Sequence, residues 1–181
     1  MKTITRSKIC LPVTAMILTA ALALPAAAQS LVPFKGAIQG NDTDGVLNFP
    51  VLPVTTTGTG TGTLLGEFSF TQQSAINVVT LTATGSTHWI AVPLLTLGQR
   101  ANGDSIDTTF TALGGPTDAP PVCPAVGEVF FRVTEIHTII SGTGRFAGAQ
   151  GSFRVERQAS PVTLKTCGSF QGTITSPGTA H

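Results

Sequence analysis

Apolar and polar residues alternate with a period of two along most of this chain, and no stretch shows a convincing 3.6-residue period. Pro33–Gln39 sets Phe34, Gly36 and Ile38 against Lys35, Ala37 and Gln39. Further strands are predicted over Thr63–Phe70, Ile76–Thr84, Ser105–Leu113, Glu128–Ile140, Ser152–Gln158 and Cys167–Thr175. His88–Val92 is read as continuing the sheet after a turn at Gly85-Ser86. Val46–Val54, broken by Pro50 and Pro53, reads as a loop or edge strand, because proline donates nothing to a ladder. The Thr/Gly run Thr55–Thr63 reads as a flexible lead-in. Asn41-Asp42-Thr43-Asp44-Gly45 reads as a turn cluster in preference to a calcium loop, since the later Glu of an EF-hand is missing. Short strands separated by turn signals predict an all-β fold, an antiparallel barrel with a β-sandwich as the alternative.

The segment Ser141–Gly151 connects the two best-defined strands and holds four glycines, which predicts a tight connection instead of a helix. A weaker echo places Gly two residues before Phe at Gly66-Glu67-Phe68, Gly151-Ser152-Phe153 and Gly168-Ser169-Phe170. Repeated glycines within strands suit the sharp bends of a barrel, with Phe filling the space on the same face.

Residues 1–28 break the alternation. Lys2, Arg6 and Lys8 precede the apolar run Ile9–Leu24, then Pro25 and Ala26-Ala27-Ala28. This is the three-part pattern of a secretory signal peptide, with 29–181 as one mature domain. A secreted or periplasmic location follows, with no membrane anchor once the signal is cleaved. Removing three basic residues leaves seven Lys and Arg against nine Asp and Glu, a formal charge of −2. Such a chain has no electrostatic footprint for nucleic acid. In an exported protein the two remaining cysteines, Cys123 and Cys167, are expected to form a disulfide.

Candidate chemistry is sparse. Glu135 and His137 lie two apart on one strand face, a spacing that lets a carboxylate orient an imidazole for general acid/base work. The competing reading is a pair on the solvent face, and either reading lets His137→Ala fold. Arg132 is the third candidate of a catalytic set. His88, Trp89, Arg145 and Arg154 are candidate ligand contacts, against the plainer readings of core, solvated surface and cross-strand ion pairs. No zinc, nucleotide or nucleophile-elbow motif is present, so no metal and no cofactor is implied.

The run Val133-Thr134-Glu135-Ile136-His137-Thr138-Ile139-Ile140, followed by Ser141-Gly142-Thr143-Gly144-Arg145-Phe146-Ala147-Gly148-Ala149-Gln150-Gly151, resembles the dirigent and allene oxide cyclase barrel group. Its members join two strands by Gly-Gly-Thr-Gly-x-Phe-x-x-Ala-x-Gly, and Ser141 departs from that pattern at the first position. The resemblance implies an eight-stranded antiparallel, calycin-like barrel, often trimeric. The plant cyclase isomerises a fatty-acid epoxide in an apolar cavity, and dirigent proteins steer phenoxy-radical coupling. None of their working residues is matched in this chain, which has no Tyr. The leading expectation is therefore a non-catalytic barrel that binds a small apolar ligand or a partner. The alternatives are an isomerase or cyclase acting in the barrel, and a filled structural barrel that works as a dimer or trimer.

Overall fold

The computed structural model describes residues 30–92, 103–117, 120, 126–127 and 129–176. The residues of the signal-peptide reading and Cys123 lie outside those described. Eight strands run in order: β1 Leu31–Asp44, β2 Val51–Gly62, β3 Gly66–Asn77, β4 Thr82–Ala91, β5 Ser105–Pro116, β6 Phe131–Gly142, β7 Gly151–Ala159 and β8 Lys165–Thr175. Each pairs antiparallel with its neighbours, and β1 pairs with β8, so the sheet closes into a meander barrel without an edge. The barrel expectation holds and the sandwich alternative falls.

Several element boundaries differ from the sequence reading. Thr55–Thr63 is no flexible lead-in, because β2 spans most of it. Thr55, Thr57, Thr59 and Thr61 stand outward as a β-branched row, while Thr56, Gly58, Gly60 and Gly62 face the interior. The acidic cluster at Asp42 and Asp44 belongs to β1 instead of a turn. Val78-Val79-Thr80-Leu81, read as part of the strand Ile76–Thr84, is the β3–β4 turn, with Asn77 Oδ1 accepting from the amides of Val79 and Thr80. Gly85-Ser86, read as a turn, lies in the middle of β4.

Inward glycines and phenylalanines are paired across strands. Gly58 stands opposite Phe70 and Gly60 opposite Phe68. Gly36 opposes Phe170, Gly85 opposes Phe110, and Gly172 opposes Phe153. A Cβ on Gly36 would meet the Phe170 ring at 2.6 Å, and one on Gly85 would meet the Phe110 ring at 2.7 Å. The small partner makes room for the large one, which lets many aromatic rings share the bore of a narrow barrel.

One end of the bore is filled by Phe34, Phe68, Phe70, Trp89, Phe153 and Phe170. Their ring centroids approach within 4.9–6.5 Å in tilted and edge-on contacts, with Phe70 stacked on Trp89. The Ser141–Gly151 connection closes this end. Its single 3-10 turn, Gly144–Phe146, buries Phe146 completely, and Gly144 and Gly148 take the left-handed backbone that the turn requires. The opposite end is open. Outside the barrel, Val126 and Phe130 pack with Cys167 in a second small core beside β8. Ser160 Oγ donates to Val129 O at 2.7 Å and holds this segment to the barrel.

Candidate functional site

The period-two alternation carries β6 inward at Val133, Glu135, His137 and Ile139, and β7 inward at Phe153, Val155 and Arg157. Glu135 and His137 therefore meet inside the barrel, at the level where the aromatic plug ends. Glu135 is 1% exposed and His137 not at all.

Glu135 is saturated with donors. Arg157 Nε donates to Oε1 at 2.8 Å, Gln72 Nε2 donates to the same oxygen at 3.0 Å, and His137 Nε2 lies 2.9 Å from Oε2. Burial by itself would raise this carboxyl. The Arg157 charge, reinforced by His137 and Gln72, outweighs burial and holds it at about 2. Burial likewise opposes the charge on Arg157, but Glu135 and Asp42 outweigh it and push its pKa up. The pair is an internal salt bridge in which both Glu135 oxygens and Arg157 Nε and Nη1 hold hydrogen-bond partners, the added bonds that make a buried pair tolerable.

A second chain of bonds fixes the imidazole. An ionised carboxylate only accepts, so Nε2 carries a proton. On the other side Nδ1 lies 2.9 Å from the Thr108 hydroxyl, which also accepts from Trp89 Nε1 at 3.2 Å. The ring itself is clamped between Phe110 and Phe153, with centroids at 5.0 and 4.9 Å and interplanar angles of 21° and 11°. Among the described residues no side-chain polar atom that is sealed from solvent lacks a partner.

Above this polar layer the barrel opens into a cavity of about 350 Å³. Its walls are aliphatic and aromatic: Leu52, Ile76, Leu81, Phe110, Val133 and Leu164. Asp42, Asp44, Ser74, Glu135, Arg157 and Ser160 are its polar lining residues. His137 does not line the cavity, because Phe110 lines it and stacks on the imidazole. Large apolar side chains stand exposed on the loops at this end, with Val46 and Phe49 between β1 and β2, Val79 between β3 and β4, and Val162 between β7 and β8.

The other candidates lie elsewhere. Arg132 does not join Glu135 and His137: three residues along a strand reverse the face, and Arg132 points outward. Arg154 is also outward, paired with Glu156 at 2.7 Å on β7 itself, with both side chains about half exposed. Arg145 pairs with Asp104 beside the closed end, and its guanidinium lies 5.7 Å from the Phe146 ring. Trp89 is buried in the plug and does not line the cavity, so its place is core. His88, its neighbour, faces outward and bonds Asp107, which also accepts from Ser141 at 2.7 Å. Partial burial would raise the Asp107 carboxyl, and the Ser141 and His88 bonds outweigh it and lower it. Cys167 is 7% exposed in the outer small core, and Cys123 lies outside the described residues.

Arg157, Gln72, Thr108 and Asp42 were missed by sequence reasoning. Arg157 and Gln72 carried a usable signal: each continues an inward alternation, Phe153-Val155-Arg157 and Phe68-Phe70-Gln72. A polar residue at an inward position needs a buried partner, and Glu135 is that partner for both.

No protein-family model, no curated protein and no solved structure matches this chain. The geometry alone defines it as a closed eight-stranded antiparallel β-barrel, half plugged and half open.

Proposed function

We propose that the chain is an exported binding barrel that holds one small apolar ligand in the open half of its bore and performs no chemistry on it. The observation that carries this reading is the division of the interior. Aromatic rings fill one end, yet the other keeps an apolar-walled cavity of about 350 Å³. That volume lies in the range of small-molecule sites, and an eight-stranded barrel has room for one such ligand. The likeness of Ser141–Gly151 to the dirigent and allene oxide cyclase group agrees with this architecture. The outward face of β2 carries a row of threonines and the barrel's phenylalanines and its tryptophan are packed inside, unlike the continuous apolar band of a lipid-facing barrel. Export, with a disulfide between Cys123 and Cys167, belongs to the same proposal.

The isomerase or cyclase reading rests on Glu135 reaching the cavity wall. Against it, that carboxylate already accepts three hydrogen bonds and stays ionised down to about pH 2, which makes it a weak proton acceptor at neutral pH. The filled-barrel reading fits only the plugged half.

Binding of a neutral, environment-sensitive naphthylamine dye tests the proposal. The mature protein should take up about one dye per chain with a rise in fluorescence. Ala112→Trp, which projects an indole from the cavity wall, should abolish that uptake while the barrel stays folded by circular dichroism. Equal uptake by both proteins would place the dye elsewhere and overturn the reading. Native mass spectrometry of the same sample reads any retained ligand and distinguishes a monomer from a dimer or trimer.

A further inference from the structure

The polar end of the cavity is incompletely used by the protein. Arg157 donates through Nε to Glu135 and through Nη1 to Thr166 at 3.0 Å, and Nη1 stands 3.7 Å from Asp42 Oδ1. That last separation exceeds a hydrogen bond. Asp42 Oδ1 accepts from Thr56 Oγ1 at 2.6 Å. Among the described residues nothing bonds Arg157 Nη2 or Asp42 Oδ2, although both side chains line the cavity and Arg157 is only 7% exposed. A strong donor and a strong acceptor thus stand side by side at the end of an apolar chamber.

Charge decides what fits between them. Among the described residues three carboxylates line the cavity, Asp42, Asp44 and Glu135, against the single guanidinium of Arg157. The formal balance is −2, and Glu135 already neutralises Arg157 at contact distance. A ligand carboxylate would be buried next to Asp42 with no uncommitted cation to meet it, and uncompensated burial of charge is costly. An ammonium would meet Asp42 but would also be pressed against the guanidinium. A hydroxyl suits both groups, since it accepts from Arg157 Nη2 and donates to Asp42 Oδ2.

We propose that the cavity selects a neutral aliphatic alcohol, hydroxyl between Arg157 and Asp42 and chain along the Leu52–Ile76–Val133 wall, and that it refuses the corresponding carboxylate. The proposal rests on the binding-barrel reading. At ~30 Å³ per water-sized group, the cavity accommodates about a dozen non-hydrogen atoms, the size of decanol.

The test is competition against the naphthylamine dye at pH 7 with decanol, decanoate and decylamine on the mature protein. Decanol should displace the dye at a concentration at least ~10-fold below that needed for decanoate or decylamine, a preference of about 1.4 kcal/mol. Asp42→Asn, which keeps an acceptor for Thr56 but removes a charge, should narrow the gap between decanol and decanoate by roughly that factor. Decanoate equal to decanol would overturn the proposal, as would decylamine binding tightest, and either result would leave the binding-barrel reading standing. Failure of wild type to take up the dye would remove that reading and the alcohol site with it.

Discussion

Arg157 Nε lies 2.8 Å from Glu135 Oε1 with both side chains buried, so the barrel carries an ion pair at the level where its aromatic plug ends and its cavity begins. Removing one member leaves the other charge buried and unpaired. Glu135→Gln and Arg157→Met should each lower stability by about 3–5 kcal/mol in chemical denaturation. The double variant should lose much less than the sum of the two, because no lone charge remains. Additive losses would mean that the two groups do not interact in solution.

The same pair sets the acid limit of the fold. The Glu135 carboxyl is depressed to about 2 in the folded state, against roughly 4.3 when unfolded. Between those values the unfolded chain binds more protons, so stability rises with pH there. The contribution is complete above about pH 5 and falls away as pH drops from there towards 2. Denaturation midpoints should decline over this window in wild type and decline less steeply in Glu135→Gln. Identical slopes would show that Glu135 titrates normally.

His137 was expected from sequence to be dispensable for folding. Its ring is sandwiched between Phe110 and Phe153 and bonded at both nitrogens. His137→Ala empties that slot and leaves Glu135 Oε2 without its donor. A loss of about 3 kcal/mol is expected from denaturant titration, with a matching fall in Tm. A variant as stable as wild type would contradict the packing described.

Glycine placement gives an internal control. A Cβ on Gly36 would strike the Phe170 ring and the Thr61 carbonyl, and backbone cannot move aside cheaply. Gly36→Ala should cost about 1–3 kcal/mol. Gly115 has no atom within 4 Å of its would-be Cβ. Gly115→Ala should lie between neutral and about 1 kcal/mol stabilising. Equal effects at both sites would show that intrinsic strand preference, not the Gly–Phe fit, governs these positions.

A disulfide between Cys123 and Cys167 closes a loop of 44 residues, worth roughly 4 kcal/mol in the chain-entropy account. It would tie the segment before β6 to β8, where Cys167 already packs against Val126 and Phe130. The intact mass of the oxidised mature protein should fall two hydrogens below that of the reduced protein. Alkylation of two thiols in the exported, unreduced protein would refute the bridge.

Local pattern determined the class of this fold. Period-two alternation, the absence of helical periodicity and turn signals between short runs specify an all-β antiparallel fold and leave a barrel and a sandwich open, because side-chain direction in a strand depends only on parity. Parity also determined that Glu135 and His137 share a face. Which face is inward, and where strands stop, required closure of the sheet. Val78–Leu81 is as β-prone as its neighbours, yet it turns, because β3 and β4 must pair in register so that Phe70 meets Trp89. The site was beyond local reading for the same reason. Arg157 is 22 residues from Glu135 and Gln72 is 63 from it, and only the registers of β7 beside β6 and of β3 across the bore bring the three side chains together. The cavity depends on how far the aromatic rings extend along the bore, a property of packing among all eight strands that no single stretch of sequence encodes.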